Sequence, residues 1–178
     1  MVYVFLADGF EIIEALAPVD MLRRAKIEVK TVGVTGNSVT SSCGVEVKAD
    51  VLINEIGDDF DAIVLPGGMP GTINLENNKI VQNIIDIAYN NKKLICAICA
   101  APSILGHKGL LNGLEAISFP GFEDALTGAK ISADYVAVSE NIITAKGAGV
   151  ATEFGLKIVE MLTDKANADN IKDTIQCR

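Results

Sequence analysis

Short apolar runs alternate along this chain with stretches of helical periodicity, and that alternation narrows the fold more than any other feature. Val2–Leu6, Ala62–Leu65 and Leu94–Ile98 are unbroken apolar runs of strand length. Residues 11–25 and 75–91 lie between them as helices, with Ile80, Ile84, Ile87 and Ala88 recurring at helical spacing in the second. Residues 27–34 read as a further strand, ended by the turn Thr35-Gly36-Asn37-Ser38, and residues 39–48 alternate around Gly44 as a β-ribbon. Residues 116–118, 136–138 and Ile142–Ala145 are candidate strands. Residues 100–107, 150–162 and 166–175 are candidate helices, the middle one with Phe154, Ile158, Met161 and Leu162 on one side. The pattern predicts an α/β fold, a mostly parallel sheet with helices on both faces, with sites in the loops at the carboxyl ends of its strands. Three such loops stand out: Ala7-Asp8-Gly9-Phe10, Pro66-Gly67-Gly68-Met69 and the turn at Cys99.

A chain of 178 residues suits a single domain spanning 1–178. Its net charge is -8 and it has no basic run, which disfavours nucleic acid and anionic membrane as partners. The first apolar run has no basic residues before it and is cut short by Asp8, so it reads as a strand and not a signal peptide. No segment reaches the ~18 uninterrupted apolar residues of a membrane span. Cys43, Cys96, Cys99 and Cys177 match no disulfide scaffold, and a reducing cytoplasmic setting is expected.

Cys99 is the leading candidate for chemistry. It closes an apolar strand and precedes Ala100-Ala101-Pro102, which suit a first helical turn, so the thiol stands on a strand-to-helix elbow. Helix amides near the sulfur are expected to lower its pKa. Cys96 forms a Cys-x-x-Cys spacing with it. In an extended strand, however, residues three apart point to opposite faces ~10 Å from one another, and a disulfide needs Cα atoms within ~7 Å. No second Cys or His pair is spaced for zinc, and neither a metal nor a cofactor is expected. His107, the chain's single histidine, falls ~12 Å along the following helix from Cys99 and is not its base unless that helix breaks.

Carboxylates are the remaining proton handlers near the elbow. Glu11 and Glu14 both sit where acids complement a helix dipole. Glu14 is flanked by Ile13, Ala15 and Leu16, so burial next to a thiol would raise its pKa and let it share a proton. Pro18 removes one helical N–H and invites a bend. Gly67 and Gly68 offer backbone amides to an anion, although Pro-Gly-Gly is also an ordinary turn. Gly147-Ala148-Gly149 before a helix lacks the third glycine of a dinucleotide loop.

Taken together, Ala97-Ile98-Cys99-Ala100-Ala101-Pro102, Leu65-Pro66-Gly67-Gly68 and Asp8-Gly9-Phe10-Glu11 with Glu14 resemble the ThiJ/PfpI superfamily. Within it, the likeness is to the branch of the Parkinson-disease-associated deglycase-like protein and its bacterial relatives. It extends through residues 18–25 and 153–160 over essentially the whole chain. The resemblance implies a flavodoxin-like three-layer sandwich with a cysteine nucleophile elbow, assembling as a homodimer. It implies Cys99 as the reactive cysteine and Glu14 as its hydrogen-bonding acid, with the amides of Gly68 and Ala100 facing the sulfur and Gly67 beside them. Ala100 stands where peptidase-like relatives have histidine, and Ala148 where relatives often have proline. An Arg-containing segment of relatives is replaced around Ser42-Cys43-Gly44.

The activity implied is that of a glyoxalase or deglycase acting on small aldehydes such as methylglyoxal, or on glycated protein, with a role in oxidative-stress protection. The alternative is a redox sensor or stress chaperone working through oxidation of Cys99. A third expectation is a cysteine peptidase whose histidine comes from another subunit.

Overall fold

The computed structural model describes residues 1–177. The elements follow in order: β1 (Val2–Leu6), α1 (Ile12–Arg24), β2 (Val29–Gly33), β3 (Ser38–Thr40), β4 (Glu46–Lys48), β5 (Val51–Leu52) and β6 (Ala62–Leu65). Then come α2 (Gly71–Asn77), α3 (Lys79–Asn90), β7 (Leu94–Ile98), α4 (Pro102–His107), β8 (Glu115–Ala116) and β9 (Lys130–Ile131). The chain finishes with β10 (Val136–Ser139), β11 (Ile142–Ala145), α5 (Ala151–Leu162) and α6 (Lys165–Thr174).

Seven strands form one sheet in the order β10-β11-β7-β6-β1-β2-β5. All its neighbours pair in parallel except β10 with β11. The central strands are buried on both faces, which is why they read as continuous apolar runs. Side-chain alternation then divides the core. Val2, Val4 and Leu6 pack with α1, α5 and α6, whereas Tyr3 and Phe5 pack with α2, α3 and α4. This is a three-layer α/β sandwich of the flavodoxin-like kind.

Helix α1 is continuous through Pro18, which is buried with its Cα close to Gly155 of α5. The helix expected over 75–91 is instead two. Asn78 separates them, its side chain accepting the N–H groups of Ile80 and Val81 to cap α3. The expected ribbon is the antiparallel pair β3–β4.

The chain runs from β1 outward to β2 on one side and later returns to β6 on the other. The crevice beside β1 and β6 is therefore the topological switch point of the sheet, where open α/β folds place their sites. The loops after β1, β6 and β7 all open onto this edge.

Candidate active site at the Cys99 elbow

The site begins with an irregular backbone. Cys99 follows the last residue of β7 with φ +65°, a left-handed conformation that side chains other than glycine rarely adopt and that costs on the order of 1–2 kcal/mol. Two hydrogen bonds hold it there: its N–H donates to the Ala145 carbonyl at 2.9 Å, and its carbonyl accepts from the Phe119 N–H at 2.8 Å. The left-handed turn carries the side chain to the α1 side of the sheet, where it packs with the cluster that contains Cys96. The two cysteines are thus not on opposite faces as extended spacing predicts. Cys96 stays fully buried in β7, and the two form no disulfide.

The two glutamates at the start of α1 divide the roles that sequence left open. Glu11 is the N-cap, its carboxylate accepting the Glu14 N–H at 2.7 Å. Glu14 points into the crevice and is 1% exposed. Its Oε2 accepts the Gly67 N–H at 2.9 Å, a second amide, that of Ala148, also donates to it, and the Cys99 thiol hydrogen-bonds its carboxyl.

The Pro66-Gly67-Gly68 turn lies against both groups. A Cβ on Gly67 would fall 2.7 Å from Cys99 Cβ, 2.7 Å from Glu14 Oε2 and 3.0 Å from the Ala100 nitrogen, so only glycine fits there. The Gly67 carbonyl accepts the Glu11 N–H at 2.9 Å, tying this turn to the start of α1. Gly68 adopts φ +87°, and its N–H, together with that of Ala100, faces the Cys99 sulfur.

Cys99, Glu14, Gly67, Gly68 and Ala100 are therefore brought together, with one change of role. Gly67 donates to Glu14, which leaves Gly68 and Ala100 to meet an anion at the sulfur.

Electrostatics departs from the sequence expectation. Burial, aided by repulsion from Glu11, holds the Glu14 carboxyl up to about 7, although the thiol and two amides pull it down. Cys99 is not lowered. Burial first, then the charge of the Glu14 carboxylate and the hydrogen bond to it, push the thiol up to about 12, and the Ala100 and Gly68 amides offset only part of this. Both groups are pushed toward their protonated forms, the thiol further than the carboxyl, so the thiol is the donor to Glu14. A carboxylate poised near neutrality beside a thiol can take that proton as the sulfur attacks and return it afterwards.

His107 is not part of the site. It ends α4, half-exposed, with Nδ1 2.6 Å from Glu76 Oε1. The Gly147-Ala148-Gly149 stretch, set aside as an imperfect dinucleotide loop, is part of it through the Ala148 amide. Its glycine-rich sequence after β11 was the available signal.

The DJ-1/PfpI family model matches residues 1–161. The chain belongs to the DJ-1/PfpI family. It is 35% identical to Protein DJ-1 homolog A of Arabidopsis thaliana over 97% of its length, but spans only 45% of that longer protein. It is 33% identical to a Caenorhabditis elegans protein named glutathione-independent glyoxalase DJR-1.2, covering 85% of this chain and 82% of that one. Among solved structures, oxidized DJ-1 of Toxoplasma gondii superposes with a TM-score of 0.94 at 37% identity, covering 98% of this chain and 97% of that one. Among the described residues, no helix is long and apolar enough to cross a membrane.

Proposed function

We propose that the protein is a cysteine-dependent, glutathione-independent glyoxalase of the deglycase type, acting on small reactive aldehydes such as methylglyoxal and on their early glycation adducts. The observation that carries this reading is the Cys99–Glu14 pair beneath the Gly68 and Ala100 amides, with the chain's single imidazole engaged by Glu76. The glyoxalase name of the C. elegans relative supports it.

In this reading the Glu14 carboxylate accepts the thiol proton as sulfur adds to the aldehyde carbon of methylglyoxal. The hemithioacetal oxygen is met by the Gly68 and Ala100 amides as its charge develops, and it then takes the proton from Glu14. Glu14 next removes the hydrogen on that carbon to give an enediolate, the hemithioacetal hydroxyl proton passes to the former ketone oxygen, and Glu14 returns its proton to the neighbouring carbon, which leaves an alcohol there and a thioester at the first carbon. Water cleaves the thioester, releasing lactate and restoring the thiol. The sum is methylglyoxal plus water to lactate, with no external oxidant. The working form we take to be a cytoplasmic homodimer, as the family resemblance implies.

Purified protein given methylglyoxal is expected to form lactate, and Cys99→Ser to lose that activity. Equal turnover by the variant would sink the reading.

A second reading is favoured by one feature: Cys99 is only partly buried, while Cys96 is sealed. Peroxide would then oxidise Cys99 to a sulfinate, held by the two amides and by a protonated Glu14. Mass spectrometry after mild peroxide should find the oxidation concentrated at Cys99, and an even spread over the other cysteines would remove this reading.

A further inference from the structure

Beside the Cys99–Glu14 pair opens a cavity of about 440 Å³, walled by Phe119, Pro120, Tyr135 and Val150 and carrying one charged residue, Lys146. It adjoins the site through the loop after β11. Gly147 and Ala148 line it, and the Ala148 amide donates to Glu14. A Cβ placed on Gly147 would lie 3.2 Å from the Phe119 ring and 3.9 Å from Glu14 Oε1. Phe119 in turn donates its N–H to the Cys99 carbonyl. The cavity wall and the elbow are thus tied together by a backbone hydrogen bond.

Cavities of roughly 300–1,000 Å³ take ligands of drug size, so a three-carbon aldehyde leaves most of this space unused. The Lys146 ammonium stands 4.8 Å over the Tyr135 ring and joins no ion pair among the described residues. Glu123, a carboxylate within its field, is engaged by the Gly121 N–H at 2.6 Å. Aromatic walls with one cation that makes no ion pair among the described residues describe a receptor for a flat apolar group that ends in a carboxylate.

We propose that this cavity is a substrate subsite for aldehydes that carry an aromatic or similarly flat apolar body with a carboxylate, the body lying between Phe119 and Tyr135 and the carboxylate on Lys146. This rests on the glyoxalase reading for the chemistry at Cys99, but the recognition is separable from it.

The test uses benzoate and its neutral isostere benzamide as probes, with binding to the full chain followed by NMR titration alongside a methylglyoxal turnover assay. Benzoate should bind about tenfold more tightly than benzamide, and Lys146→Met should erase that preference. Phe119→Ala should weaken both probes alike, with shifts in the Gly147 and Ala148 amides marking the location. Equal affinity for the two probes, or a benzoate preference that survives Lys146→Met, overturns the subsite. Lys146-dependent benzoate binding in a protein that leaves methylglyoxal untouched would uphold the subsite and remove the glyoxalase reading.

Discussion

Buried Glu14 and half-buried Cys99 face one another at the carboxyl edge of the sheet, and loss of solvent drives both toward their protonated forms, the carboxyl to about 7 and the thiol to about 12. The pair therefore carries one negative charge between about pH 7 and about pH 12, and its two titrations belong to the pair.

Stability should register this pair. Glu14 binds its proton more tightly in the folded state, near 7, than its reference value of 4.5. Its contribution is then fully present below pH 4.5 and is lost as pH rises through 7. Glu14→Gln does not titrate, so the stability of wild type relative to that variant should fall by on the order of 3 kcal/mol between pH 4 and pH 8. Urea denaturation of both proteins at each pH measures this. A difference that stays constant with pH would contradict it.

Gly67 leaves no room for a side chain where the two reactive groups meet, since a Cβ there meets Cys99, Glu14 and the Ala100 amide together. Gly67→Ala should cost about 1–3 kcal/mol by overpacking and should displace Glu14 from the thiol. Thermal unfolding and methylglyoxal turnover would both drop. An active variant of wild-type stability would show that the turn has room to move.

The cysteines should separate by reactivity. Cys96 is sealed in β7 and its thiol is pushed far up by burial, whereas Cys43 is exposed beside Ser41. Iodoacetamide at pH 8 should label Cys43 in the native protein and leave Cys96 untouched until urea unfolds the chain. Peptide mapping that finds Cys96 labelled as fast as Cys43 would argue that the strand opens.

Much of this architecture was legible in sequence because the central strands are buried on both faces. Leu94–Ile98 and Ala62–Leu65 are apolar at every position and could be delimited to the residue. Val51–Leu52 is too short to carry a period, and its edge pairing with β2 depends on where the ribbon returns the chain. Helix α2 begins with Gly71 and Thr72, weak helix formers, the second held by its N–H and hydroxyl on the Gly68 carbonyl, so nothing local announces it.

At the site, the apolar neighbours of Glu14 foretold its raised pKa. For the thiol, sequence shows the amides that lower its pKa but not the burial that outweighs them. The Ala148 donor and the Lys146 cavity come from the loop after β11, distant in sequence and brought in by pairing of β11 with β7.

The central claim is that the proton rests on Cys99 and is donated to Glu14. Carboxyl-carbon NMR of Glu14 tests it most directly. The wild-type midpoint is expected near 7, rising further in Cys99→Ala because the thiol's hydrogen bond to the carboxylate is lost, and staying close to 7 in Cys99→Ser, which keeps a donor. A midpoint that falls in Cys99→Ala would mean the charge resides on sulfur, and the account of the pair would be wrong.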